Sequence, residues 1–120
     1  MTPNKRPLAV TILAWLYIAV GTVGFAYHAG DFLARHAFNY DGLWIELTEL
    51  LAIVCGVFML RGHNWARWLA LAWMAFHVIL SAFHAIPELA IHSLFLAVIA
   101  WFLFRRPAAV YFRALRAKSK

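Results

Sequence analysis

The chain has 120 residues, 65% hydrophobic and 13% charged, with a mean hydropathy of +0.74 and a formal net charge of +6. A water-soluble domain of this size needs far more polar surface to cover its core, and the length leaves no room for a second domain, so residues 1–120 are read as a single membrane domain. The basic residues stand at the ends of apolar runs, which argues against a nucleic-acid partner, and the lone Cys55 excludes an internal disulfide, a CxxC redox centre and a thiolate metal cluster.

Lys5-Arg6-Pro7 opens the first apolar run, from about Pro7 to Tyr27. Its start resembles a secretory signal, but the run continues too long and no small-x-small cleavage site follows, so the segment is expected to be retained. Gly30 to Phe38 reads as a short interfacial helix, and Asn39-Tyr40-Asp41-Gly42 as a turn. The second run covers about Leu43 to Leu60, and Gly62-His63-Asn64 separates it from the third, about Trp65 to Phe83. The fourth runs from about Pro87 to Phe104 and is stopped by Arg105-Arg106-Pro107. Each run is near the ~20 residues that cross ~30 Å of hydrocarbon as a helix. Backbone groups in lipid must be satisfied internally, and the runs lack period-two alternation, so helices are expected. The fold class is therefore all-α, a bundle of four transmembrane helices with a basic cytoplasmic tail over 105–120. Val110, Tyr111, Phe112 and Leu115 among its basic residues suit a segment lying on the anionic lipids of the inner leaflet.

Orientation follows from lysine and arginine. Lys5, Arg6, Arg61, Arg67, Arg105, Arg106, Arg113, Arg116, Lys118 and Lys120 fall on one side, and only Arg35 on the other. The positive-inside rule places both termini of this multi-pass chain in the cytoplasm. Trp44, Trp65, Trp68 and Trp101 lie near span ends, where an aromatic belt is expected.

This orientation exposes a second asymmetry. All five acids, Asp31, Asp41, Glu46, Glu49 and Glu88, fall in the outer loops or the outer half of the spans. So do His28, His36, His77, His84 and His92, whereas His63 is cytoplasmic. Counting inward at 1.5 Å per residue puts Glu49, His77 and His92 at one level, roughly 8–9 Å below the outer boundary. His28, Glu46, His84 and Glu88 form a shallower ring. His77, Ser81 and His84 share one helical stripe, and Glu46 and Glu49 another. On the first span Ala14, Tyr17, Gly21, Gly24 and His28 form a stripe of small and polar residues suited to close helix contact.

Ionisable groups at such depth are costly and normally face the bundle interior. Glu49, His77 and His92 suit a divalent metal ion, with His28, Glu46, His84 and Glu88 as outer or alternative ligands. Neither HExxH nor a di-iron Glu-x-x-His pair occurs in support of that metal. Haem between two of the histidines is a weaker reading, since an interfacial belt explains the aromatic residues better than a flat cofactor does. The same residues also serve a bland role as hydrogen bonds between helices. Two further functions remain open: an accessory subunit of a larger membrane complex, and a proton-coupled transporter acting as a homo-oligomer. The inner half offers only Thr11, Tyr17 and Cys55 to continue a proton path. A binding or accessory protein therefore fits better than a self-sufficient enzyme.

Arg6-Pro7-Leu8-Ala9-Val10-Thr11, Trp65-Ala66-Arg67-Trp68-Leu69-Ala70 and Arg105-Arg106-Pro107 with Tyr111-Phe112 resemble small four-helix bacterial inner-membrane proteins of uncharacterised function. The resemblance covers the whole layout through short, largely topogenic motifs. It implies a bacterial inner membrane, and it carries no activity and no catalytic residue.

Overall fold

The computed structural model describes residues 5–34 and 40–118, with their side chains except at 32 and 114–118. Its described secondary structure is helical: α1 (Leu8–Ala34), α2 (Tyr40–Leu60), α3 (Asn64–Ala82), α4 (Ile86–Phe104) and α5 (Arg106–Lys118). Four helices are long and apolar enough to cross a membrane, over Leu8–Asp31, Tyr40–Leu60, Asn64–Ala82 and Ile86–Phe104. These coincide with the four apolar runs.

The boundaries differ from expectation where no residue type enforces a break. Residues 30–34 continue α1 instead of starting a separate interfacial helix, because an isolated Gly30 does not stop a helix. The rest of that expected helix, with Arg35 and His36, lies outside the described residues. Tyr40-Asp41-Gly42 is the first turn of α2, where the Asp41 carboxylate complements the positive helix end.

The α2–α3 connection is a Schellman turn. Gly62 takes φ 80°, while its N–H reaches the Met59 carbonyl at 3.1 Å and the His63 N–H reaches Phe58 at 3.0 Å. Pro87 sits in the first turn of α4, where its missing N–H is harmless. Arg105 is extended and separates α4 from α5.

Glycine brings α1 onto α2. A Cβ at Gly21 would stand 2.6 Å from the Glu49 carbonyl oxygen, and one at Gly56 would stand 2.5 Å from that of Ala14. The small-residue stripe is thus used inside the molecule. Tyr17 then ties α1 to α3 by donating to the Ala70 carbonyl at 2.7 Å. Trp73 Nε1 ties α3 to α2 through the Thr48 carbonyl at 2.9 Å.

The apolar core lies toward the end that carries the α2–α3 turn. Val10, Ala14, Cys55, Met59 and Leu103 are fully enclosed there. Helix α5 closes this end: Ala108, Tyr111 and Phe112 are buried against the bundle, and Tyr111 Oη donates to the Leu60 carbonyl at 3.0 Å. That carbonyl also receives Arg6 Nη1 at 2.9 Å, so the C-terminus of α2 is capped twice. Arg67 acts similarly on α4. Its Nη1 donates to the Leu103 carbonyl at 3.2 Å, and its guanidinium lies over Phe104 and Phe112 at 4.7 and 5.4 Å. The C-terminal segment is therefore a helix docked through Ala108, Tyr111 and Phe112, with Arg106, Val110 and Arg113 exposed.

Candidate functional site

The opposite end of the bundle, which carries the α3–α4 turn at 83–85, holds the acids and most of the histidines. The residues proposed for one site there fall into two groups. His28, Glu46 and Glu49 belong to α1 and α2; His77, Ser81 and His92 belong to α3 and α4.

In the first group, Glu49 points at α1. Its carboxylate occupies the space that a side chain at residue 24 would fill, 2.5–2.8 Å from the Cβ position of Gly24. Three residues before it on the same face, Glu46 lies within electrostatic reach, as does His28 from α1. Glu46 Oε1 and Glu49 Oε2 are both enclosed with no hydrogen-bond donor beside them among the described residues. His28 uses Nδ1 on the Gly24 carbonyl at 2.9 Å, so its other ring nitrogen is the one that can meet a ligand.

In the second group, the imidazoles of His77 and His92 are neighbours, with ring centroids 6.1 Å apart and planes tilted by 57°. His77 Nδ1 bonds the Trp73 carbonyl at 2.9 Å, and its ring lies against the Trp73 indole, 4.0 Å between centroids. Ser81 is buried; it donates to the His77 carbonyl at 2.8 Å and contacts His92 Nδ1. His84 and Glu88 are exposed at the turn. His36 lies outside the described residues.

Among the described residues, no three His, Cys, Asp or Glu side chains are placed to hold a metal ion together. Glu49, His77 and His92 are thus divided between two groups. Counting residues along a helix gives depth but not azimuth, and it is azimuth that turns Glu49 toward Gly24 and makes the two histidines neighbours. The His77–Ser81 stripe is formed as its spacing predicts, although His84 does not join it. Neither charge nor motif marks Trp73 in the sequence. Its signal is positional, four residues before His77 on the face that also carries Ala70 and Ser81.

Chemically, the first group offers negative charge and acceptors, and the second offers imidazole nitrogens and a hydroxyl. Fold and polar end together define a small all-α bundle, compatible with a membrane, that sequesters ionisable groups at one end. No known protein family, curated protein or solved structure matches the chain significantly.

Proposed function

We propose that this chain is a multi-pass membrane protein that takes a small cationic or hydrogen-bond-donating ligand, a metal ion included, in the outer half of its bundle. Both termini face the cytoplasm of a bacterial cell, and the acids and histidines face outward. The observation that carries the ligand reading is the pair of enclosed, donorless oxygens on Glu46 and Glu49 beside His28. A carboxylate kept from water without a donor is destabilising, and a cation or donor ligand relieves that cost.

The membrane reading is supported by the exposed apolar side chains of α4, such as Leu94, Phe95 and Val98, and by exposed Trp65, Trp68 and Trp101 near the helix ends. Lys5, Arg6, Arg61, Arg105, Arg106 and Arg113 are exposed at the end away from the acids, which supports the orientation. With Ala108, Tyr111 and Phe112 of α5 docked, its exposed Arg106 and Arg113 suit contact with anionic headgroups.

The test is ligand-dependent stabilisation of the untagged protein in detergent, against a panel of metal ions and small amines. A ligand that binds the folded state raises its unfolding midpoint. The reading expects at least one such ligand, with the effect lost in E46Q/E49Q, in H77A/H92A, or in both. Midpoints unmoved by the whole panel would overturn it.

A further inference from the structure

Two hydrogen bonds within α3 and one contact from Ser81 to His92 on α4 assign the imidazole protons. A carbonyl oxygen only accepts, so the contact from His77 Nδ1 to the Trp73 carbonyl places a proton on that nitrogen. Ser81 has a single hydroxyl proton and donates it to the His77 carbonyl. Its contact with His92 Nδ1 must therefore be donated by the ring. In the neutral state both imidazoles are Nδ1–H tautomers with the lone pair on Nε2.

That is the arrangement found in histidines that ligate a metal through Nε2. Their Nδ1–H is anchored on a carbonyl or similar acceptor, which fixes the tautomer and the ring. The spacing agrees. A metal ion about 2 Å from each nitrogen, with about 1 Å more to each ring centre, separates the centres by about 6 Å. The observed separation is 6.1 Å.

We infer that His77 and His92 bind one monovalent copper ion through their Nε2 atoms, bridging α3 and α4. This rests on the reading of the outer half as a ligand site and adds a second site there, on the imidazole group beside the enclosed carboxylates. The identity of the metal follows from ligand number and charge. Among the described residues no third His, Cys, Asp or Glu joins the pair. Zinc in a protein favours four ligands, and calcium and magnesium require several oxygens. Monovalent copper, a closed-shell ion, accepts two imidazoles in a near-linear array, and imidazole suits copper. Two neutral rings contribute no charge, so the site takes on the full charge of the ion. Desolvation cost rises steeply with charge, which favours a monocation over a dication between apolar helices. The Trp73 ring shields one face of His77 from solvent.

His84 provides an internal control. Its Nδ1 is anchored on the Leu80 carbonyl at 2.8 Å, yet the ring is exposed and faces no second imidazole among the described residues.

The experiment uses the whole untagged protein in detergent under anaerobic reducing conditions. Monovalent copper is titrated in competition with a chromophoric copper(I) chelator, and the bound metal is examined by X-ray absorption. The expected result is a single copper ion per chain with two nitrogen neighbours. H77A and H92A should each abolish retention, S81A should weaken it about tenfold or more, and H84A should leave it unchanged. H77Q and H92Q replace the alanine variants if those fail to fold by circular dichroism. Copper held equally well by a folded H77Q/H92Q protein would overturn the inference, as would a folded wild type that retains none. If copper is not retained but another ligand stabilises the protein and E46Q/E49Q removes that effect, the copper assignment alone falls and the outer-half reading stands. If no ligand binds, both fall.

Discussion

The Glu49 carboxylate rests on Gly24, with Cδ 2.5 Å and the two oxygens 2.6 and 2.8 Å from the point where a Cβ on residue 24 would stand. The absence of a side chain on α1 is what lets an acid from α2 enter the helix interface. The three close glycines therefore do different things. Gly21 and Gly56 admit backbone, at 2.6 and 2.5 Å from carbonyl oxygens, whereas Gly24 admits a flexible side-chain tip.

Alanine substitution should separate these roles. G21A and G56A drive a methyl group into a facing backbone and should each destabilise the α1–α2 pair by about 1–3 kcal/mol. G24A only displaces the carboxylate, so its effect on stability should be smaller, while any Glu49-dependent ligand stabilisation should disappear. Unfolding midpoints in detergent, with and without ligand, distinguish the two. Equal losses of stability at all three positions would show that Glu49 is not free to move aside.

Arg67 should govern the docking of α5. It is 6% exposed, with Leu103, Phe104 and Phe112 around its guanidinium. In R67A the Leu103 carbonyl loses a charge-assisted bond and both rings lose their cation, together worth about 2–3 kcal/mol. R67K keeps the charge but not the planar donor fork, and should restore little of it. Amide exchange in α5 should rise in both variants while that of α1 changes much less. Unchanged protection of α5 in R67A would count against this role.

These two features differ in how far they could be read from sequence. The four spans were legible because apolar runs of membrane length leave few alternatives, and Gly62, Pro87 and Arg105-Arg106-Pro107 mark their limits. The small-residue stripe was legible as a contact surface, and the sequence could not say that its partner is α2 and not another protein. The candidate site was legible in composition and depth only. Residue counting puts Glu49, His77 and His92 at one level, yet which neighbour each one faces depends on helix rotation, set by packing at Gly24 and by the Trp73 and Ser81 hydrogen bonds. Arg67 looked like one more topogenic charge. Its burial follows from the docking of α5, a contact between residues far apart in sequence.

Two bonds to main-chain carbonyls hold α3 against the α1–α2 pair, and they are donated by two rings in contact. Y17F removes the bond to Ala70 while keeping the ring beside Trp73, 5.3 Å between centroids, and should cost about 1 kcal/mol. W73F removes the Thr48 bond and also the indole against His77, so its cost should exceed that of Y17F. Because the two rings touch, the double variant should lose less than the sum of the single losses. A strictly additive result in a double-mutant cycle would mean that the two bonds act independently despite that contact.

Orientation can be read by labelling, because the molecule supplies exposed positions at both ends. His63 is exposed beside Arg61 in the α2–α3 turn, and His84 is exposed in the α3–α4 turn. Cys55 is fully enclosed and gives little background. With the basic end held in the cytoplasm, an impermeant maleimide added to intact cells should label H84C and leave H63C untouched until the membrane is permeabilised. The physical stake is the side from which a ligand arrives. A cation entering from outside meets Glu88 and His84 at the turn before it reaches the enclosed groups, whereas from the cytoplasm it would first meet exposed arginines. Labelling of H63C but not H84C in intact cells would place the polar half toward the cytoplasm and make the arginine-rich end the outward one.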